Sequence, residues 1–267
     1  WLRGALNGDF GKSIQLRRDA ARLVAASLPA TIQLALCAML IAGVLGVGGG
    51  LLLFHLRGGP AETMGDLGTT VLLSVPEFLW ALLFILVFGV LVPLLPFIGQ
   101  LGPQFSVTPV TGFLLIDTLL TGQPAAFASA LAHLALPAAA LGIAFSPAIM
   151  RVLRSSLLDV YQEDYIRQAR LRGIGEWRIL IIHALPNAIL PTLTLMGVQF
   201  GFLFGGTLLV EVIYSYPGLG NLMVDAVRNA DLPIIQTVGL TYCIMVLLIG
   251  MVVDALVLIL NPRLRGS

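Results

Sequence analysis

Three histidines, two cysteines and fourteen carboxylates are the groups with which this 267-residue chain could do chemistry. His55, His133 and His183 belong to different loops or span ends, and no nucleophile, base and orienting group can be assembled around them. Cys37 and Cys243 lie inside apolar segments. A disulfide framework or metal site would need more ligands at shorter spacing, so both read as small core residues. Gly11-Lys12-Ser13 matches the end of a phosphate-binding loop. That loop, G-x-x-x-x-G-K-[ST], needs its first glycine at position 6, where Leu6 stands, and no strand-like apolar run precedes it. No catalytic centre, metal site or nucleotide site is expected, and energy for driven work would come from another subunit.

The other candidates are polar groups within apolar stretches, where a mid-helix carboxylate costs roughly 2.5–3.5 kcal/mol and so marks a functional position. Glu77 lies near the start of its stretch, and Asp254 lies about 10 Å of helix before Asn261. Neither is at a midplane. Glu77 either lines an inward-facing vestibule or contacts another helix. Gln199, the most central polar group of its stretch, either lines a pathway or makes an interhelical hydrogen bond.

The elements that must hold these groups follow from composition. Hydrophobic residues are 58%, charged residues 11%, and mean hydropathy is +0.96, against about 45–50% and roughly 25% in soluble domains. The chain is a polytopic membrane protein, all-α, and its net charge of +1 points to no nucleic-acid partner. Five spans are expected at residues 30–56, 71–95, 131–150, 188–213 and 234–260, each long enough to cross a core of about 30 Å. Residues 57–66 read as a polar turn, and Pro76 interrupts the second span. Gly46 and Gly50 in the first span, and Gly197, Gly201 and Gly205 in the fourth, predict close helix approach. The segment 113–120 is too short to span. Taking the loops alternately, Arg57, the six arginines of 151–186, Arg263 and Arg265 share one side, and Arg228 stands opposite. That asymmetry puts 151–186 in the cytoplasm. Counting residues 1–28, which carry five basic groups, on the opposite side weakens it.

Between the third and fourth spans runs EDYIRQARLRGIGEWRILIIHALPNAILP, residues 163–191. Leu158, Tyr161, Tyr165, Ile166 and Ala169 recur on one helical face. Gly173 sits where a helix end would need a positive φ. A second helix from Glu176 would end near Pro186, which has no N–H to donate. Helix, glycine break and helix between two spans form a docking platform for a soluble partner; the plain alternative is an ordinary basic loop.

This stretch resembles the cytoplasmic loop of binding-protein-dependent ABC importer permeases, whose pattern is E-A-A, three residues, G, nine residues, I, one residue, L-P. Ala169, Gly173, Leu185 and Pro186 fall in register, while Arg167, Gln168 and His183 replace Glu, Ala and Ile. Those departures are similar to the dipeptide/oligopeptide branch, which includes nickel and glutathione importers. Residues 211–233, EVIYSYPGLGNLMVDAVRNADLP, resemble that family's external E-x-I-[FY]-x-x-P-G-L-G segment with its later D-x-P. Asn261-Pro262-Arg263 resembles its closing D-P-R, and GDFGKSI its first external segment.

The resemblance implies a type I importer permease fold in a bacterial or archaeal cytoplasmic membrane, with a further helix preceding Trp1. Residues 1–28 would form an external segment, and 29–267 the transmembrane domain with coupling loop 151–186. Implied partners are a second, similar permease, two ATP-binding subunits that hold ATP and magnesium, an extracytoplasmic solute-binding protein and membrane lipid. Arg167, Ala169, Arg170, Arg172, Gly173, Ile174, Trp177, Leu185 and Pro186 would couple to the ATPase. Ala169 would permit close approach, Arg170 and Arg172 would meet acidic groups, and Ile174 would make an apolar contact. Glu77 and Gln199 would line the pathway. Glu211, Pro217, Gly218, Gly220 and Asp231 would face the binding protein. The competing reading is a self-sufficient secondary transporter or channel, favoured by inverted repeats or midplane charges; no repeat is visible.

Overall fold

The computed structural model describes residues 1–260, with backbone only for Leu2, Asp254, Val257, Leu258 and Leu260. The expectations for Asn261-Pro262-Arg263 and Arg265, and for the Asp254 side chain, lie outside the described residues. The chain is helical. After a single turn at Leu2–Leu6 come α1 (Ala20–His55), α2 (Pro60–Ser74), α3 (Glu77–Leu91), α4 (Leu114–Leu120), α5 (Pro124–Val160), α6 (Asp164–Leu171), α7 (Glu176–Ile213), α8 (Leu219–Arg228) and α9 (Leu232–Leu260). Four of these are long and apolar enough to cross a membrane, and α2 with α3, bent at a break, would make a fifth.

Several boundaries differ from the sequence reading, among them the third span, expected at 131–150 and observed as Pro124–Val160. The interruption at Pro76 falls where the sequence put it, but the second span begins at Pro60 rather than 71, within the stretch 57–66 read as a polar turn, and its helix ends at Leu91 rather than 95. Helix α2 begins at Pro60, where a missing N–H costs nothing. It stops because Pro76 drives Val75 into an extended conformation, φ −98° and ψ 117°. The helix after the loop does not end at Pro186. Wide π-helical turns at Ile179–Ala184 precede that proline, and the chain runs on to Ile213 with Pro191 inside it. Finally, α1 starts at Ala20 rather than residue 30, because Ala20 and Val24 are buried against apolar residues of α8 and α9.

The chain divides into two compact units. One comprises residues 1–38, 77–141 and 202–247 and has a core of Ala20, Val24, Leu219, Ala226, Ile234 and Val238. The other comprises 39–76, 142–201 and the chain from 248. Its core joins Phe54 of α1, Leu153 and Leu157 of α5, Ile166 and Ala169 of α6, and Ile179, Leu180, Ala184 and Ala188 of α7. Close helix approach occurs where glycine spacing predicted it. A Cβ on Gly46 would strike Ile149, one on Gly50 would press on Leu153, and one on Gly197 would strike Val253. Gly205 meets nothing within 4 Å among the described residues.

Candidate functional site

The loop after α5 is built on its own core. Tyr161 closes α5 against Phe54, with ring centroids 4.5 Å apart. Helix α6 then buries Ile166 and Ala169 and exposes Arg167 and Gln168. Gly173 has φ +75°, the left-handed helix end its spacing predicted, and no heavy atom lies near a Cβ built there. The chain turns back at once, the Ile174 N–H donating to Ala169 O at 3.2 Å.

Burial redistributes the roles expected of the loop. Ala169 does not face outward for a partner's approach; it is packed in the core of its own unit. Ile174 and Leu185 are half-buried against that same core. Arg170 is engaged within the chain, donating through Nε and Nη2 to Glu176 at 2.6 and 3.3 Å. That carboxylate raises the Arg170 pKa further, against the opposing effect of burial. What remains outward is Arg167, Leu171 (83% exposed), Arg172, Trp177 (64% exposed) and Pro186. Neither Arg167 nor Arg172 forms an ion pair among the described residues. Leu171 gave no sequence signal, because an apolar residue on an amphipathic helix reads as core.

Beside this face opens a cavity of about 360 Å³ lined by Arg57, Tyr161, Arg170 and Trp177 among others. The Arg57 guanidinium lies 3.9 Å from the Phe54 ring centroid and 5.0 Å from that of Tyr161. It donates to Phe54 O at 2.9 Å and faces no carboxylate among the described residues. A rigid, stacked cation with spare donors suits an incoming carboxylate.

In the other unit, the residues expected to face a binding protein form a buried joint. Glu211 is fully buried. Its Oε1 accepts from Thr31 Oγ1 at 2.7 Å, and its Oε2 accepts the N–H groups of Gly220 and Asn221 at 2.7 and 3.3 Å. Thr31 Oγ1 in turn accepts the Leu219 N–H at 2.8 Å. The first three N–H groups of α8, which no helical carbonyl can reach, are thereby satisfied. A Cβ on Gly218 would meet the Glu211 carboxylate, and one on Gly220 would meet Leu208 Cα. Of the five residues expected to face the binding protein, Pro217 is exposed and Glu211, Gly218, Gly220 and Asp231 are buried.

Asp231 is also buried and ties the N-terminal segment down: Ser13 Oγ donates to its Oδ2 at 2.5 Å and the Gln15 N–H at 3.3 Å. Burial pushes the Asp231 carboxyl up. The Ser13 hydroxyl and the nearby N–H groups of Ile14, Gln15 and Ile234 outweigh it and hold the carboxyl below the usual aspartate range. Thr31, Ser13 and Gln33, which links Tyr216 OH to the Leu115 N–H, escaped the sequence reading.

The two pathway candidates belong to different compact units. Gln199 is half-buried in α7 with Oε1 lacking a hydrogen-bond partner, and Glu77 is half-buried as the first residue of α3. His133 is satisfied locally, Nδ1 lying 2.7 Å from Ser129 O.

Residues 44–266 match the family described as binding-protein-dependent transport system inner membrane component. The chain is 39% identical over 262 residues to the di/tripeptide transport system permease protein DppB of Pseudomonas aeruginosa, covering 97% of this chain and 77% of that one. It is 38% identical to the dipeptide transport system permease protein DppB of Escherichia coli K12 (99% and 79% covered). It is 34% identical to the glutathione transport system permease protein GsiC of Pectobacterium atrosepticum (99% and 78%). Among solved structures, the inward-facing MetNI methionine ABC transporter superposes with a TM-score of 0.70 at 17% identity, covering 90% of this chain and 96% of that one. An amino acid ABC transporter superposes with a TM-score of 0.61 at 16% identity (88% and 93%).

Proposed function

The chain belongs to the binding-protein-dependent transport system inner membrane components, the membrane-spanning permease subunits of ABC importers, and we propose that the cargo it passes is a short peptide. The relatives with the highest identities quoted above carry dipeptide and tripeptide names, which favours peptide over the glutathione of GsiC or a nickel complex. The permease works beside a second, similar permease. Two ATP-binding subunits hold ATP and magnesium and dock at the loop 161–178 on the cytoplasmic side. An extracytoplasmic solute-binding protein delivers the peptide to the opposite side.

The observation that carries this reading is the loop's division of labour. Ile166, Ala169, Ile174 and Leu185 anchor it to the core, while Arg167, Leu171, Arg172 and Trp177 stand outward, the two arginines without an ion pair among the described residues and Trp177 edge-on to His55. A rigid root with a basic and apolar crown suits a groove on a soluble subunit, and pushing the crown moves the root. Glu211 and Asp231 serve as scaffold for the outward face, not as its contact groups. Gln199 and Glu77 remain the pathway candidates, Gln199 for its uncommitted buried oxygen.

The deciding experiment is reconstitution of the four-subunit complex in liposomes with its binding protein. Peptide-loaded binding protein should stimulate ATP hydrolysis and peptide uptake, and excess glutathione should not compete. Gradient-driven uptake by this chain alone would favour a secondary transporter instead.

A further inference from the structure

One charged cluster lies outside the sites above. Arg154 is six residues, about 9 Å of helix, before the end of α5 at Val160. It donates through Nη1 to Asp66 and through Nη2 to Glu62, both on α2, and only 16% of its side chain is exposed. One turn earlier, Arg151 donates to Thr70 at 2.9 Å. Glu62, Asp66 and Thr70 recur every fourth residue, so they form one polar edge of α2 against a matching basic edge of α5. The rest of α2 exposes Met64, Leu67 and Val71 at 73%, 61% and 60%. Its contact with α1 is equally tight, since a Cβ on Gly65 would strike Leu53.

Apolar residues could hold α2 at least as firmly, because a partly buried ion pair gains little net stability over a well-packed apolar replacement. Loss of the carboxylates, however, strands the largely buried Arg154 guanidinium. Arg154 Nε is buried without a partner, so no third group holds the guanidinium once the carboxylates go. The cluster therefore fixes α2 in one register on α5. The same stretch of α5 supplies Leu153 and Leu157 to the core that grips Ile166 and Ala169 of the loop helix. Beyond its clasp, α2 runs directly into the break at Val75–Pro76.

We propose that Arg154 is a positioning residue for transport: with Glu62 and Asp66 it makes α2 part of the rigid body that moves with the loop 161–178. Displacement of the loop is then delivered to the broken helix at Pro76. This inference rests on the loop being the ATPase docking site.

The test uses the full complex with its binding protein. Spin labels at Met64 on α2 and Gln168 on α6 should show one distance, unchanged between nucleotide-free and ATP-bound states. In Arg154→Lys, which keeps the charge and loses the two-pronged geometry, a second distance should appear. Peptide moved per ATP should fall about tenfold, on the scale of known coupling mutations, with ATPase co-purification and stimulated hydrolysis retained. The Glu62→Gln/Asp66→Asn pair should behave alike. A wild-type distance that changes with ATP, or variants with wild-type peptide per ATP, would overturn the inference. A wild-type complex that neither hydrolyses ATP nor moves peptide would instead strike the functional reading.

Discussion

Glu211 and Gly220, nine residues apart, meet in a buried hydrogen bond: Glu211 Oε2 accepts the Gly220 N–H at 2.7 Å. The carboxylate sits at the N-terminus of α8, where helix geometry leaves N–H groups without acceptors and favours negative charge. The glycine is required because Leu208 Cα occupies the place of its Cβ.

Removing either half of that joint should destabilise the unit that contains it. Glu211→Ala strands the buried Gly220 N–H and the part-buried Asn221 N–H and should cost roughly 1–3 kcal/mol; Gly220→Ala should act in the same direction by overpacking. Thermal unfolding of the purified protein in detergent measures both, and an unshifted transition in both would refute the joint.

The Ser13–Asp231 clasp should be acid-sensitive. Asp231 is held below the usual aspartate range, so its contribution is fully present above the unfolded value of about 3.9. It is lost as pH falls through the lower, folded value. Limited proteolysis of residues 1–19 should stay slow at pH 5 and accelerate below pH 4 in the wild type. Asp231→Asn should be cut readily at both pH values.

Gly173→Val should leave membrane abundance near wild type while weakening ATPase co-purification or uncoupling hydrolysis from uptake. With nothing within 4 Å of the new Cβ, the effect is backbone strain, roughly 1–2 kcal/mol for a residue forced left-handed. Gly173→Asn, which tolerates that conformation, should retain most of the coupling. Equal behaviour of the two variants would count against a conformational cause.

Among the loop arginines, Arg172→Glu should weaken ATPase association by about tenfold at low salt, and less at high salt. Arg170→Ala should do less, because Arg170 already spends its guanidinium on Glu176. The reverse order would show that the Arg170–Glu176 pair opens on docking.

Sidedness can be read with single cysteines after Cys37 and Cys243 are replaced. A cysteine at Gly175, where a Cβ meets nothing within 4 Å, should resist an impermeant maleimide outside intact cells. Asn229, exposed at the end of α8, should label. Gly220 reads as an accessible loop glycine in the sequence, but it is buried and cannot carry the probe.

The features legible in the sequence are those set by local physics. Apolar runs long enough for a bilayer announce their spans, because unsatisfied backbone in lipid admits little but helix. Gly173 announces its positive φ, because only glycine adopts it without strain. The loop pattern and the 211–233 pattern announce a family whose fold then follows. Tertiary structure decided which way each of these residues faces. Ala169 and Ile174 turned inward and Arg170 was taken by Glu176, since burial depends on α1, α5 and α7 rather than on the loop's own periodicity. Helix α7 runs past Pro186 because widened turns absorb the missing N–H, a cost the sequence prices only as a break. The outer motif became a joint rather than a contact surface because its partners come from afar: Thr31 lies 180 residues before Glu211, and Ser13 lies 218 before Asp231. A hydrogen bond across such a separation leaves no periodicity in the chain, and only the folded arrangement brings its two ends together.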